Sequence, residues 1–574
     1  MMSTRWILLM ALAVAAVACA PTVAPGAAPA AEEGPGSIRA SRTLVVIGGR
    51  SPENLAAKPV RNVSGAGNPR GTLRALNAGL ALNDDRESPR PYLAEALPAV
   101  NTDTWRILAD GRMETTYRLR PNLTWHDGAP LSAADFVFAW RVYATSELGQ
   151  GASPPLNLME EVLAPDDRTV VFRWRQTYAD AGGLQAADFP PLPRHILESG
   201  FASIATASDA FVAHGYWLGD YVGLGPFRLT RFEAGTFLEG AAFEGHALGL
   251  PKASAIRFVY HTDPNTVLAN LLADEAHVAL DNSFDLQQAI ILDQRWSPRG
   301  VVLRNPVGVR HANVQMRPDI ATPRALLDVR VRRALAYSTD RQSLVDGITE
   351  GLGAIADTLV LPTVEYFPTV DRGLTRYPYD PRRAEQLFND AGFTRGADGF
   401  YVSPSEGRFN PEIAVAQGAR NDTEVQIIVD GLRRVGIDAS IRVIPRPQVT
   451  EPWVFAHFQS VLIGSHNRAF LPPLDRLRAS EIARPETRGR GSNYSGFTHP
   501  EMERLILAYE TTLERPERHQ HLAQMMKLAS EEAPILPLYY NLEFFAHVAN
   551  LGGPQITVSS DSATWNIHEW HWTR

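Results

Sequence analysis

Two periodicities run along the chain. In 113–125, METTYRLRPNLTW, Tyr117 and Leu119 alternate with Thr116 and Arg118, the two-residue period of a half-buried strand. Asp127-Gly128 then reads as a turn. Ser132 stands where an N-cap belongs, with Asp135 three residues on as an acidic capping-box partner. Behind it Phe136, Val137, Ala139, Trp140 and Tyr143 fall mostly on one helical face. The segment is therefore read as strand, turn and capped helix.

The same reading extends along the chain. Strands are expected at 42–49, ending in Gly48-Gly49, and at 169–176 and 253–261. A glycine turn with paired strands is expected at 223–243, and a strand pair at ILPLYYNLEFF (535–545). Helices are expected over 72–82, from Pro264 onward, as a pair at 328–351, at 380–392, and as two helices split near Pro516. DTEVQIIVDGLRRVGIDASIRVIP reads as helix, Gly436, strand. Strands and helices alternate, so the class is α/β, and no fixed-period repeat is visible.

Trp125, His126, Asp127 and Asp135 are side chains that enzymes use, so the segment raises the question of an active site. The local reading removes it. Asp135 caps, Asp127 turns, Trp125 anchors the core, and His126 is its polar neighbour. No nucleophile or second carboxylate is spaced to reach His126. Neither G-x-S-x-G nor H-E-x-x-H occurs. HEWH (568–571) places two histidines three apart, but in a Trp-rich segment that reads as strand. No catalytic residue, metal site or cofactor is expected.

At 574 residues the chain exceeds one ordinary core, so two or three domains are expected. Its 45% hydrophobic and 21% charged residues are those of a globular protein. A formal charge of −8, with no basic stripe, argues against nucleic acid as a partner.

Arg5 followed by the apolar run 7–17 reads as a signal peptide, assigned to 1–18. The run ends AVAC. Ala18 before Cys19, the only cysteine, resembles a bacterial lipobox, although Ala16 stands where Leu is usual. The resemblance implies acylation of Cys19 and an anchor outside the cytoplasmic membrane. Residues 19–40, rich in Ala, Pro and Gly, then form a tether. No later stretch has 18 consecutive apolar residues.

Seven landmarks in order resemble the extracellular solute-binding protein family 5 of bacterial ABC importers for peptides and nickel. They are YLAEALP with TYRLRPNLTWHDGAPLSAADFVFAW, GLGPFRL, DVRVRRALAYSTDRQSLVDGI, YDPRRAEQLFNDAGF, LRRVGIDASI, NYSGFTHPEMERLI and EEAPILPLYY. The resemblance implies a two-lobed periplasmic-binding-protein fold with an extra domain in the first lobe. Lobe I would comprise 41–79, 200–300 and 536–574, the extra domain 80–199, and lobe II 301–535. The lobes would close on a small solute or oligopeptide and hand it to an ABC permease served by an ATPase, with the receptor a monomer.

In peptide-binding relatives an aspartate in a lobe II loop pairs with the peptide α-amino group. Asn467 stands there in VLIGSHNRAFLPP, flanked by Ser465, His466 and Arg468. A neutral Asn does not neutralise a desolvated ammonium, which leaves room for a blocked peptide, an acidic solute or a sugar. Nickel, haem or a metallophore stays open through His466, and sensing without transport is a further alternative. From lobe I, Arg50 and Glu53 in GGRSPEN are expected to face the ligand. Asn493 and Tyr494 are the remaining candidates.

Overall fold

The computed structural model describes residues 43–60, 69–148, 154–280, 283–449, 451–467, 471–558 and 563–573. Cys19, the signal segment and the tether lie outside them, as does Arg468.

A ten-stranded sheet organises the molecule. From one edge its strands are Ser440–Ile444, Glu412–Ala416, Val461–His466, Gly300–Val314, Ile535–Val548, Val278–Ala279, Leu44–Gly48, Ala255–Tyr260, Phe237–Ala242 and Phe227–Glu233. At its centre Gly300–Val314 and Ile535–Val548 run antiparallel from Gly300↔Val548 to Asn313↔Ile535. The register shifts between Pro306 and Gly308, where a proline without an N–H cannot continue the ladder.

These two long strands serve different cores along their length. Val302, Phe544, Phe545 and Ala546 belong to the core that includes Leu44, Val46 and Trp296. Ala312, Val314, Leu536 and Leu538 belong to one built on Leu335, Phe388 and Val429. Ile535 and Tyr540 join a third, with Met502 and Met525. The change of core on the second strand falls between Tyr540 and Phe544.

A separate four-stranded sheet, ordered Trp105–Ile107, Met113–Arg118, Thr169–Trp174 and Met159–Asp166, is covered by the helix Ala133–Ala144. Both halves of the Ser132/Asp135 capping box are formed. Asp135 also accepts from the Arg194 N–H at 3.1 Å. Asp127 accepts from the Ala129 N–H at 3.0 Å, and Gly128 takes φ +89° to close the turn. Trp125 is buried in the same core as Tyr117 and Phe136.

Four expectations need correction. The helix over 72–82 is only Arg70–Leu73. Asn77 spends its side-chain amide on the Leu73 and Leu55 carbonyls, and Gly79 lies so close to 185–186 that a Cβ would meet the Ala186 nitrogen at 2.3 Å. Residues 81–83 then pair as a strand with Pro89–Pro91. The strand at 113–125 ends at Arg118, beyond which the Leu119 N–H turns to the Arg168 carbonyl and Leu93 takes the Arg120 N–H. The pair expected in ILPLYYNLEFF is one continuous strand, because it faces Gly300–Val314 throughout. HEWH is a 3₁₀ turn over Ile567–Glu569 and then the two-residue strand His571–Trp572.

Candidate functional site

Where Gly300–Val314 pairs with Val461–His466, Arg310 lies opposite Ser465, His311 opposite Gly464 and Asn313 opposite Leu462. Alternation sends Arg310 to one face and His311 with Asn313 to the other. The two faces carry different chemistry.

On the first face Arg310 forms a two-point ion pair with Glu424 of the helix Ala419–Arg434, one bond being Nε–Oε1 at 3.0 Å. Burial is the largest single influence and would lower the Arg310 pKa, but the bond to Glu424, the charge of Glu424 and Tyr539 together outweigh it and the net shift is upward. Tyr539 donates to Glu424 Oε1 at 2.9 Å, and Arg420 donates to Asn541 Oδ1 at 2.5 Å. Asn541 in turn donates to Ser465 Oγ at 2.8 Å. This network ties Ser465 to the second long strand and to the helix.

The second face floors a cavity of about 440 Å³, a size suited to a small solute. Phe455 and Tyr494 wall it with ring centroids 6.0 Å apart, and Arg476 and Arg490 line it too. Gly464 opens the floor. A Cβ there would stand 3.2 Å from His311 Nε2 and 3.4 Å from Asn313 Nδ2. His311 is fully buried and its Nδ1–H points to the Val309 carbonyl at 3.3 Å, so Nε2 is an acceptor. Burial, then the positive charge of Arg476, holds its pKa well below the usual histidine value. Asn313 gives its amide to the Leu462 carbonyl at 3.2 Å. Among the described residues nothing bonds His311 Nε2 or Asn313 Oδ1.

Arg476 donates through Nε to His466 Nδ1 at 3.1 Å and through Nη2 to the Ser465 carbonyl at 3.2 Å. Burial lowers its pKa, with Asp475 offsetting part of the effect. Cavities near Arg341 and Asn77 are much smaller, about 40 and 50 Å³, and a hollow of about 640 Å³ beside Ile427 and Asp430 is wide open to solvent.

The site residues expected from sequence fall in different places. Ser465 and Tyr494 line the cavity. His466 is buried and positions Arg476 instead of lining the wall. Asn467 is exposed in the turn after the strand, bonded to Ser465 Oγ. Asn493 is buried, donating to the Arg478 and Phe497 carbonyls at 3.0 and 2.8 Å and accepting from the Phe497 N–H at 3.1 Å. That places it inside a turn and away from the cavity surface. Arg50 and Glu53 are exposed beyond the end of Leu44–Gly48, and neither lines the cavity. Sequence reasoning missed His311, Asn313, Gly464 and Arg476. The nearest signal was two polar residues spaced by two in GVRHANV, on one face of a strand.

Residues 91–477 match the model of the bacterial extracellular solute-binding proteins, family 5. The chain belongs to this family. It is 21% identical over 504 residues to the oligopeptide-binding protein AppA of Bacillus subtilis, covering 86% of each chain. It is 24% identical over 486 residues to the dipeptide-binding protein of Escherichia coli, covering 78% of this chain and 82% of that one. Among solved structures, HbpA2 from Haemophilus parasuis aligns with a TM-score of 0.73 at 17% identity, over 93% of this chain and all of that one. NikZ from Campylobacter jejuni, in complex with Ni(L-His), aligns at 0.63 and 19% identity over 92% and 99%. The fold is thus the two-lobed, mixed α/β architecture of periplasmic binding proteins, and the family 5 relatives are substrate-binding transport proteins. Among the described residues no helix is long and apolar enough to cross a membrane.

Proposed function

We infer that this family 5 protein is the extracytoplasmic receptor of an ABC importer, taking up a peptide or peptide-like solute and releasing it to a membrane permease without chemical change. Lobe I consists of 41–79, 200–300 and 536–574, with the extra domain 80–199 attached, and lobe II is 301–535. The two long strands join the lobes, and rotation about them buries the solute. Acylation at Cys19 and the 19–40 tether keep the receptor near the permease as a monomer.

The observation that carries this reading is the cavity beside the long strands, walled by aromatics and floored by unspent polar atoms. A solute there gains apolar contact from Phe455 and Tyr494 and orientation from His311, Asn313 and Arg476. Arg50 and Glu53 of lobe I, with Ser465 and Asn467 of lobe II, are proposed to meet the solute as the lobes close. A bare metal ion is the less favourable cargo, because Arg476 sets a positive charge against the His311 imidazole.

Small-angle X-ray scattering with and without a small-molecule extract of the producing cells tests the mechanism. A smaller radius of gyration with extract is expected, since a ligand stabilises the closed state by its differential affinity. An unchanged radius while solute is bound one-to-one would refute closure.

A further inference from the structure

The cavity has a charge asymmetry that the receptor reading does not require. Its lining includes Arg476 and Arg490 and no aspartate or glutamate, in a chain of formal charge −8. Among the described residues no carboxylate is ion-paired with Arg476, and the neighbouring Asp475 offsets only part of the cost of its burial. Its guanidinium is nevertheless fixed, with Nε held by His466 and Nη2 by the Ser465 carbonyl. That leaves Nη1 with no protein partner among the described residues. A cation held in place, partly desolvated and short of a counter-charge favours an anion that arrives from outside.

The floor adds a second requirement. His311 Nε2 and Asn313 Oδ1 are acceptors without donors, in side chains 0% and 1% exposed, and a side chain at 464 would occupy the space beside His311. A buried acceptor without a donor is costly unless a ligand supplies one.

Resting on the receptor function above, we propose that the solute presents a carboxylate to Arg476, with Arg490 adding positive charge at the cavity, and offers N–H groups to His311 and Asn313. The class that combines both is a peptide or acylamino acid recognised through its carboxylate end. A single free guanidinium nitrogen matches a monoanion better than a phosphate dianion.

The test uses affinity-selection mass spectrometry on the full-length protein. The probes are a pool of tripeptides with free C-termini, the same pool as C-terminal amides, and a pool of phosphoserine-containing tripeptide amides. Wild type should retain the free-acid pool about tenfold or more over the amides. Arg476→Gln, which keeps donors for His466 and the Ser465 carbonyl, should abolish that preference, and its thermal unfolding without ligand verifies that it folds. Arg490→Gln, at an exposed position, should weaken retention about threefold without any folding consequence. Equal retention of acids and amides, or unchanged selectivity in Arg476→Gln, would overturn the proposal. So would selective retention of the phosphorylated pool, or retention of no pool at all. If no pool binds but an extract solute does, one-to-one, the carboxylate assignment fails while the receptor reading survives. If nothing from pool or extract binds, both fail.

Discussion

Replacing His126 with alanine separates a structural role from a binding one. The side chain is 3% exposed and bridges two backbone sites on another segment. Nδ1 accepts from the Gly223 N–H at 3.2 Å, and Nε2 donates to the Gly225 carbonyl at 2.9 Å. The Phe243 ring meets the imidazole edge-on at 4.8 Å. His126→Ala leaves two backbone groups without side-chain partners and removes the ring contact. Each orphaned buried group costs about 1–3 kcal/mol, so a loss of about 3–5 kcal/mol is expected.

Acid titration supplies an internal check. Burial pulls the folded-state pKa of His126 down to about 4, from 6.5. The unfolded chain therefore binds more protons between these values. The stability that His126 contributes is full above pH 6.5 and is lost as pH falls toward 4. The pKa difference corresponds to about 3 kcal/mol. The gap between wild type and His126→Ala should be widest near pH 7.5 and narrow by about that amount near pH 4. Urea denaturation followed by tryptophan fluorescence measures it, alongside solute affinity of the folded variant at pH 7.5. Affinity within about twofold of wild type is expected, since His126 is not among the described residues that line the cavity. Unchanged stability with a collapse of affinity would refute the scaffold role.

Glu424→Gln should cost about 3–5 kcal/mol, because it leaves buried Arg310 without its counter-charge; a chemical denaturation midpoint equal to wild type would show that the pair is dispensable. Gly464→Leu should fill the cavity beside His311 and lower solute affinity at least about tenfold, as read by calorimetry with a co-purifying solute; full affinity would place the solute elsewhere. Cys19→Ala should release the protein from membranes and abolish labelling by radioactive fatty acid, whereas persistent labelling would contradict the lipobox.

The capped helix at 133–144 is legible in the sequence because its cap, its first-turn acid and its apolar stripe are all local. The same holds for the paired helices behind Asp328 and Asp340, whose side chains accept from the Arg330 and Ser343 N–H groups. The segment 72–82 has helical periodicity too, but Gly79 commits it to 185–186, more than 100 residues later, and Asn77 commits it to Leu55, 22 residues earlier. The site divides the same way. Ser465 and Tyr494 can be reached from family landmarks. Arg476 cannot, because its role depends on His466 supplying an acceptor across a turn and on the lack of a facing carboxylate. His311 and Asn313 look like ordinary strand residues until Gly464, more than 150 residues later, is seen to leave their face uncovered. Asn493 shows the converse, a polar residue of a family motif whose side chain closes its own turn.

Native mass spectrometry of the protein, freshly purified from the cells that produce it, tests the central claim most directly. One noncovalent solute per chain is expected, released on unfolding, with a fragmentation pattern of amino acids and one carboxylate open to methyl esterification. A chain that carries no solute and takes none up from the cell extract at one-to-one stoichiometry would contradict the receptor function.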